Sequence, residues 1–230
     1  MKYIFIDFEM HPIDSKYSDL IKISRQEIIE FGAVMLDENY NEVSSFKEYV
    51  RPQYVSRVSN SISRLTGIST TMLAVASNFE SVLEKFLNWC ELAEDDFTIY
   101  AWSENDLAQI KHEMKLKQIE KDERIAHLIK NWIDFQKQYC KLVKSRNPIS
   151  LEHALCSIGY FFKGQQHDAL YDARNTADLF IATRDKKEFF KIFRSDLIAT
   201  SEESKQKLTF TLGDLFNFQD GKFINKQIEG

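Results

Sequence analysis

The chain has 230 residues, enough for one large domain or one domain with a small appendage. Hydrophobic residues at 43% and charged residues at 28% suit a soluble globular protein with a sizeable core, and seven Gly with three Pro exclude a long flexible linker. A formal net charge of −5 argues against coating nucleic acid through bulk positive charge, but not against an enzyme whose acids hold divalent cations where phosphate must sit.

Lys2 to Phe8 (KYIFIDF) is short, β-branched and aromatic, and predicts a buried first strand. A polar interval follows from His11 to Gln26. Glu27 to Leu36 (EIIEFGAVML) is a second apolar run, Asp37-Glu38-Asn39 makes a turn, and Val43 to Val50 is a third strand stopped by Arg51-Pro52. Two strands joined by a short polar turn form an antiparallel hairpin. The period then changes. Ser56 to Leu65 predicts a short helix closed by Gly67, and from Asn78 the residues Phe79, Val82, Leu83, Phe86, Leu87 and Cys90 recur at the spacing of an amphipathic helix. Phe97 to Trp102 (FTIYAW) returns to strand character, and Ser103 is placed to cap a helix running through Lys117. More helix is expected around Trp132 to Val143, from Ser150 to Ile158 and from Asp168 to Lys186. Between Lys111 and Arg146 basic residues outnumber acidic ones; a solvated helix surface and a phosphate-tracking face both account for that. The element order predicts an α/β fold, a mixed sheet of three antiparallel strands plus further parallel strands flanked by helices, as in RNase H-like proteins. After Ser201 the pattern differs: Leu208, Phe210 and Leu212 alternate with threonines, and Asp220-Gly221 suits a small hairpin turn. The expected division is a domain over 1–190 and a C-terminal appendage of unknown role over 191–230.

Asp7 and Glu9 stand two residues apart at the end of the first strand, so they share a face with Cα atoms roughly 6.5–7 Å apart. Such carboxylates repel one another in a partly dry site unless a divalent cation lies between them, and Mg²⁺ and Mn²⁺ prefer oxygen ligands. A strand end fraying into solvent also accommodates a lone D-x-E. Asp106 opens the helix after Trp102, where Ser103-x-x-Asp106 also makes a capping box, and Glu104 rivals it for any functional role. His167 precedes the helix of HDALYDARNTADLF and Asp172 lies in its first turns, so a loop imidazole stands over a carboxylate fixed by a helix. Histidine titrates near neutrality and accepts a proton from a nucleophilic water.

Four acids on three elements, in the order D-x-E, D, then H-x4-D, resemble the DEDDh (DnaQ-like) 3′–5′ exonuclease superfamily. IFIDFE resembles its first motif, EIIEFGAV the following strand, RLTGI the segment beside the terminal nucleotide, AWSENDL the second motif and HDALYDARNTADLF the third; WIDFQKQY resembles a segment between the last two. The resemblance runs from about Lys2 to about Lys186, and its third motif is the most specific. RLTGI and the stand-alone size are similar to the Eri-type RNA exonuclease branch, although Met10-His11-Pro12 follows Glu9 where that branch commonly carries Ala-Thr-Cys. The resemblance implies a metal-dependent hydrolase with two divalent cations, Mg²⁺ or Mn²⁺, held by Asp7, Glu9, Asp106 and Asp172. In it Asp7 bridges both ions, Asp106 supports the second through water, and His167 is the general base. It also implies that Phe8, Met10, Leu65, Thr66, Gly67 and Ile68 lie beside the terminal nucleotide, where Phe8 either stacks on a base or is a core residue.

The expected partner is single-stranded RNA or DNA with a free 3′ end, RNA slightly favoured; a protein partner or a homodimer through the tail stays open. A DNA exonuclease in repair or proofreading, a non-catalytic nucleic-acid-binding scaffold, and an RNase H-like endonuclease are the rivals. Cys90, Cys140 and Cys156 are scattered and without CxxC spacing, which argues against a disulfide framework or zinc site. The absence of a signal-peptide pattern and of a run of ~20 apolar residues gives a cytoplasmic, non-membrane expectation.

Overall fold

The computed structural model describes residues 1–93 and 97–195. Six strands form one mixed sheet in the order β4-β3-β2-β1-β5-β6. They are β1 (Lys2–Pro12), β2 (Gln26–Leu36), β3 (Glu42–Arg51), β4 (Ser77–Asn78), β5 (Phe97–Ala101) and β6 (Trp132–Asp134). β1, β2 and β3 are antiparallel neighbours, while β5 runs parallel to β1 and β6 parallel to β5. This is the RNase H-like arrangement that the element order led one to expect.

The helices are α1 (Ser18–Ile21), α2 (Asn60–Thr66), α3 (Thr70–Ala74), α4 (Phe79–Cys90), α5 (Glu104–Leu116), α6 (Glu123–Lys130), α7 (Phe135–Leu142), α8 (Leu151–Cys156), α9 (Ala169–Ala182) and α10 (Lys186–Ile192). They cover both faces of the sheet, as the two-residue period of β1 requires. Ile4, Ile6 and Phe8 pack with Val82, Leu83 and Phe86 of α4 and Ile110 of α5 on one face. On the other, Phe5 packs with Phe135 of α7, Leu155 of α8 and Phe180 of α9. Asp7 and Glu9 continue the alternation of Phe5 and therefore look toward α9.

Three elements differ from expectation. β1 runs on to Pro12, with a bulge between Glu9 and Met10, so the acid pair is internal to a strand and not at its end. Trp132–Asp134 is an edge strand, and Asp134 caps α7 by accepting from the Lys137 N–H. The helix after Asp168 stops at Ala182; Asp185 then caps α10, whose buried Phe189 packs on Tyr139 with ring centroids 6.2 Å apart. α10 thus crosses the expected boundary at 190, whereas the alternation at Leu208 to Leu212 and the Asp220-Gly221 turn lie outside the described residues.

Gly32 explains how α9 comes so close to the sheet. A Cβ there would lie 2.1 Å from the Ala169 carbonyl carbon and 2.1 Å from the Leu170 nitrogen, both main chain and unable to swing aside. Gly32→Ala is expected to cost about 3 kcal/mol or more by forcing α9 off β2. Chemical denaturation would show it as a lowered midpoint, and a midpoint equal to wild type would mean that α9 is not held at this distance.

Candidate active site

Each of the acids is placed by an element with its own reason to form. Asp7 and Glu9 stand on β1, between β2 and β5 in the sheet. Asp106 lies in the first turn of α5, and Ser103 caps that helix through the Asn105 N–H at 3.2 Å. The Asp106 carboxylate is turned toward β1, where the Phe8 main-chain N–H favours its charged form. Asp172 lies in the first turn of α9, whose cap Asp168 accepts from Leu170 and Tyr171. His167, just before that cap, has φ +62°, a left-handed conformation that is costly for a β-carbon residue. Its own N–H donates to Asp172 Oδ2 at 3.0 Å, which fixes the loop to the helix.

These five side chains line one open cleft of about 660 Å³. Glu9, His167 and Asp172 each offer a ligand atom within 4.8 Å of the others, and His167 Nδ1 lies 3.9 Å from Glu9 Oε1. Burial pushes Asp7 well above the usual carboxylate range, and the charges of Asp106, Asp172, Glu9 and Glu30 push it further. Glu9 is raised by burial and then by Asp172 and Glu30. Asp106 and Asp172 are each pushed up to about 7, chiefly by burial. Burial also lowers His167, so the imidazole is neutral near pH 7 and available as a proton acceptor. Carboxylates that drive one another toward protonation are the donor set that a hard divalent cation relieves. Asp7, Glu9, Asp106 and Asp172 fit such a group.

The other residues named from sequence are divided. Phe8 and Met10 line the cleft, but the Phe8 ring is buried against Phe31 with centroids 4.5 Å apart, leaving its main chain nearest the acids. The Met10 sulfur accepts from Gln26 Nε2 at 2.7 Å. Leu65, Thr66, Gly67 and Ile68 are not among the cleft-lining residues. Thr66 donates to the Ile62 carbonyl and accepts from the Ile68 N–H, and Ile68 is buried with Ile29, Val58, Ile62 and Leu73. Gly67, at φ +76°, faces Gln165 in the loop that leads to His167. Glu104 is exposed and ion-paired with Lys137, away from the acids.

Sequence reasoning passed over Glu30, which sits opposite Glu9 across the β1–β2 ladder. Glu30 is buried, accepts from the Ala169 N–H at 3.0 Å and pairs with Lys47 at 3.1 Å; Lys47 also reaches Asp168 at 2.5 Å. This group ties the start of α9 to β2 and β3 and supplies a cation beside the acids. An acid inside the apolar run EIIEFGAV was the available signal. His11 has a similar role in the departure from the Eri-type pattern. Its Nε2 accepts from the N–H of Ser59, the cap of α2, at 2.9 Å, and its Nδ1 donates to the Pro12 carbonyl.

Behind the cleft Glu27, Glu113 and Lys117 form a buried charge group. Lys117 lies 2.9 Å from Glu27 and 2.5 Å from Glu113, while Gln109 donates to Glu113 at 3.0 Å. Glu113 is pushed up to about 7 by burial and by Glu27, against the pull of Lys117. An acid raised in the fold binds its proton more tightly there than in the unfolded chain, so its contribution to stability falls as pH rises from about 4.5 to about 7. Glu113→Gln is therefore expected to gain stability relative to wild type across that window, on the order of 3 kcal/mol in total. Denaturation at pH 4.5, 6 and 8 measures the difference; a difference independent of pH would contradict it.

The family model described as Exonuclease matches residues 4–180. ERI1 exoribonuclease 2 of Danio rerio is 36% identical over 194 residues, covering 76% of this chain and 33% of that protein. 3'-5' exoribonuclease 1 of Homo sapiens is 29% identical over 161 residues, covering 66% of this chain and 44% of that protein. The chain thus spans less than half the length of these two curated relatives. Among solved structures, the nuclease domain of 3'hExo, described as a DEDDh family member bound to rAMP, matches with a TM-score of 0.70 at 24% identity, over 82% of this chain and 94% of that one.

Proposed function

Since the chain belongs to the exonuclease family whose model spans residues 4–180, we propose that it is a metal-dependent 3′–5′ exonuclease of DEDDh, Eri type that releases nucleoside 5′-monophosphates from single-stranded RNA. The observation that carries this is the convergence of Asp7, Glu9, Asp106, Asp172 and His167 on one cleft from β1, α5 and α9. Relatives named as exoribonucleases, and a structural match whose name includes rAMP, favour RNA over DNA.

Two divalent cations, Mg²⁺ or Mn²⁺, when held by the four carboxylates supply charge stabilisation for the phosphoryl transition state and lower the pKa of the attacking water. Asp7, on which the charges of Asp106, Asp172 and Glu9 act, would hold the cations together with those three carboxylates. Glu9 and Asp172 hold the side nearer His167, with which they form the compact group. Asp106 faces β1 from the first turn of α5. His167, neutral and tethered through its N–H to Asp172, takes the proton of the attacking water. Release of the nucleotide follows as the upstream strand departs with a free 3′ oxygen.

The test is digestion of 5′-labelled RNA and DNA strands of one sequence, with Mg²⁺ or Mn²⁺, resolved to single nucleotides. A ladder that shortens from the 3′ end, faster on RNA, is the expected result. Faster trimming of DNA would transfer the activity to repair or proofreading, internal cuts would indicate an endonuclease, and cation binding without nucleotide release would leave a non-catalytic scaffold.

A further inference from the structure

The cleft does not stop at the acids. Its wall continues along the β1–β2 connection from Ile21 to Gln26, and along α5 through Asn105, Ala108, Gln109 and His112. Those four positions recur at three- and four-residue steps and so share one side of the helix. From Asp106 to His112 the helix axis advances about 9 Å, which takes the cleft beyond the reach of a single terminal nucleotide.

Along that path both signs of charge occur. Asp7, Glu9, Asp106 and Asp172 line the cleft together with Lys22 and Arg25 of the β1–β2 connection and with His112, which lies further along α5 than Asp106. In a chain of net charge −5 this is a local arrangement and not a bulk property. The Arg25 side chain is exposed, and among the described residues it has no carboxylate partner. Lys22 pairs with Asp19 at 2.8 Å, but the two side chains are 76% and 88% exposed, and such a pair is readily exchanged for a phosphate. Ile21 and Ile23 are half-buried and line the same stretch of wall, an apolar surface of the kind that bases of any identity can cover. Lys22 and Arg25 are among the residues that line this cleft, whereas Arg124, held by Glu84, Glu91 and Asp122, Lys137, held by Glu104 and Asp134, and the buried Lys117 are not.

We propose that this basic end of the cleft is a subsite for the nucleotides upstream of the scissile bond, in which Lys22, Arg25 and His112 hold backbone phosphates and Ile21 and Ile23 meet bases. The proposal rests on the exonuclease reading above. A strand whose 3′ end lies among the acids must leave the cleft somewhere, and this is the side on which its wall carries positive charge. Contacts to phosphate position the strand without selecting sequence.

The experiment compares kcat/KM on a single-stranded RNA of about 20 nucleotides with kcat/KM on a dinucleotide, which has no phosphate to reach the subsite. Arg25→Ala, Lys22→Ala and His112→Ala are measured over a range of salt, with Lys191→Ala on α10 as a control of equal charge loss. For Arg25→Ala the ratio of long to short substrate is expected to fall about tenfold, through KM and not kcat, as loss of one charged hydrogen bond implies. The slope of log kcat/KM against log salt on the long RNA should become shallower by about 0.7 for each phosphate contact removed. If wild type cleaves neither substrate, the exonuclease reading itself fails and takes the subsite with it. If wild type cleaves both and the three variants keep its ratio and its salt slope, the subsite alone is overturned. Equal losses on both substrates, or an equal fall for Lys191→Ala, also overturn it, because a distorted fold or bulk charge then accounts for the effect.

Discussion

Asp7→Asn is expected to abolish nucleotide release, by on the order of 10⁴-fold or more, while making the cation-free protein more stable than wild type. Both effects have one cause. Asp7 is the carboxylate on which burial and the charges of Asp106, Asp172, Glu9 and Glu30 all act in the same direction. An amide of the same shape removes one negative charge from that group. An acid raised in the fold costs stability as pH rises above the ordinary carboxylate range, so the gain should grow with rising pH and vanish as pH falls below about 4. Relief of that repulsion would raise Tm of the cation-free protein. Adding Mg²⁺ or Mn²⁺ should reverse the order, because wild type then gains by mass action what the variant cannot. Thermal unfolding with and without the cation, beside the RNA digestion, measures both halves. A variant that unfolds earlier than wild type without cation would mean that the acids do not repel one another.

His167→Asn is expected to lower kcat on RNA by about 10²–10⁴-fold, the usual worth of a general base, with KM little changed. Asparagine is chosen because the backbone at 167 has φ +62°, a conformation that asparagine accepts more readily than most residues. The loop should therefore keep its shape, and the main-chain N–H should still donate to Asp172 Oδ2. Single-turnover rates separate the loss of chemistry from any change in product release. If the variant keeps wild-type rates at neutral pH, the proton acceptor lies elsewhere.

Much of this site was legible because its chemistry is local in sequence. The two-residue period of β1 puts Asp7 and Glu9 on one face, and H-x4-D spans a helix start, so both pairs follow from spacing alone. Asp106 was ambiguous for a physical reason: a carboxylate three residues after a serine suits a capping box as well as a site. The cap is in fact made by Ser103, and Asp106 lines the cleft with the other acids. Contacts between distant segments were not legible. Glu30 reads as a charge in a strand, and only the pairing of β1 with β2 sets it opposite Glu9. The place of Gly67 beside Gln165, and of Ile68 in the cluster under α2, depends on how α2 packs, which no spacing encodes. The three residues of β6 are too few to show a period, although Asp134 as a cap marked the start of α7. The single helix expected from Asp168 to Lys186 is broken where Asp185 accepts from the Lys187 and Glu188 N–H groups and starts α10.

The proposed reaction requires Asp7, Glu9, Asp106 and Asp172 together to seat a pair of divalent cations. Calorimetric titration of Mn²⁺ into wild type and Asp7→Asn addresses it most directly. Wild type should bind two ions per chain, and the variant should lose both at the same concentrations. Equal stoichiometry and affinity in the two proteins would contradict it.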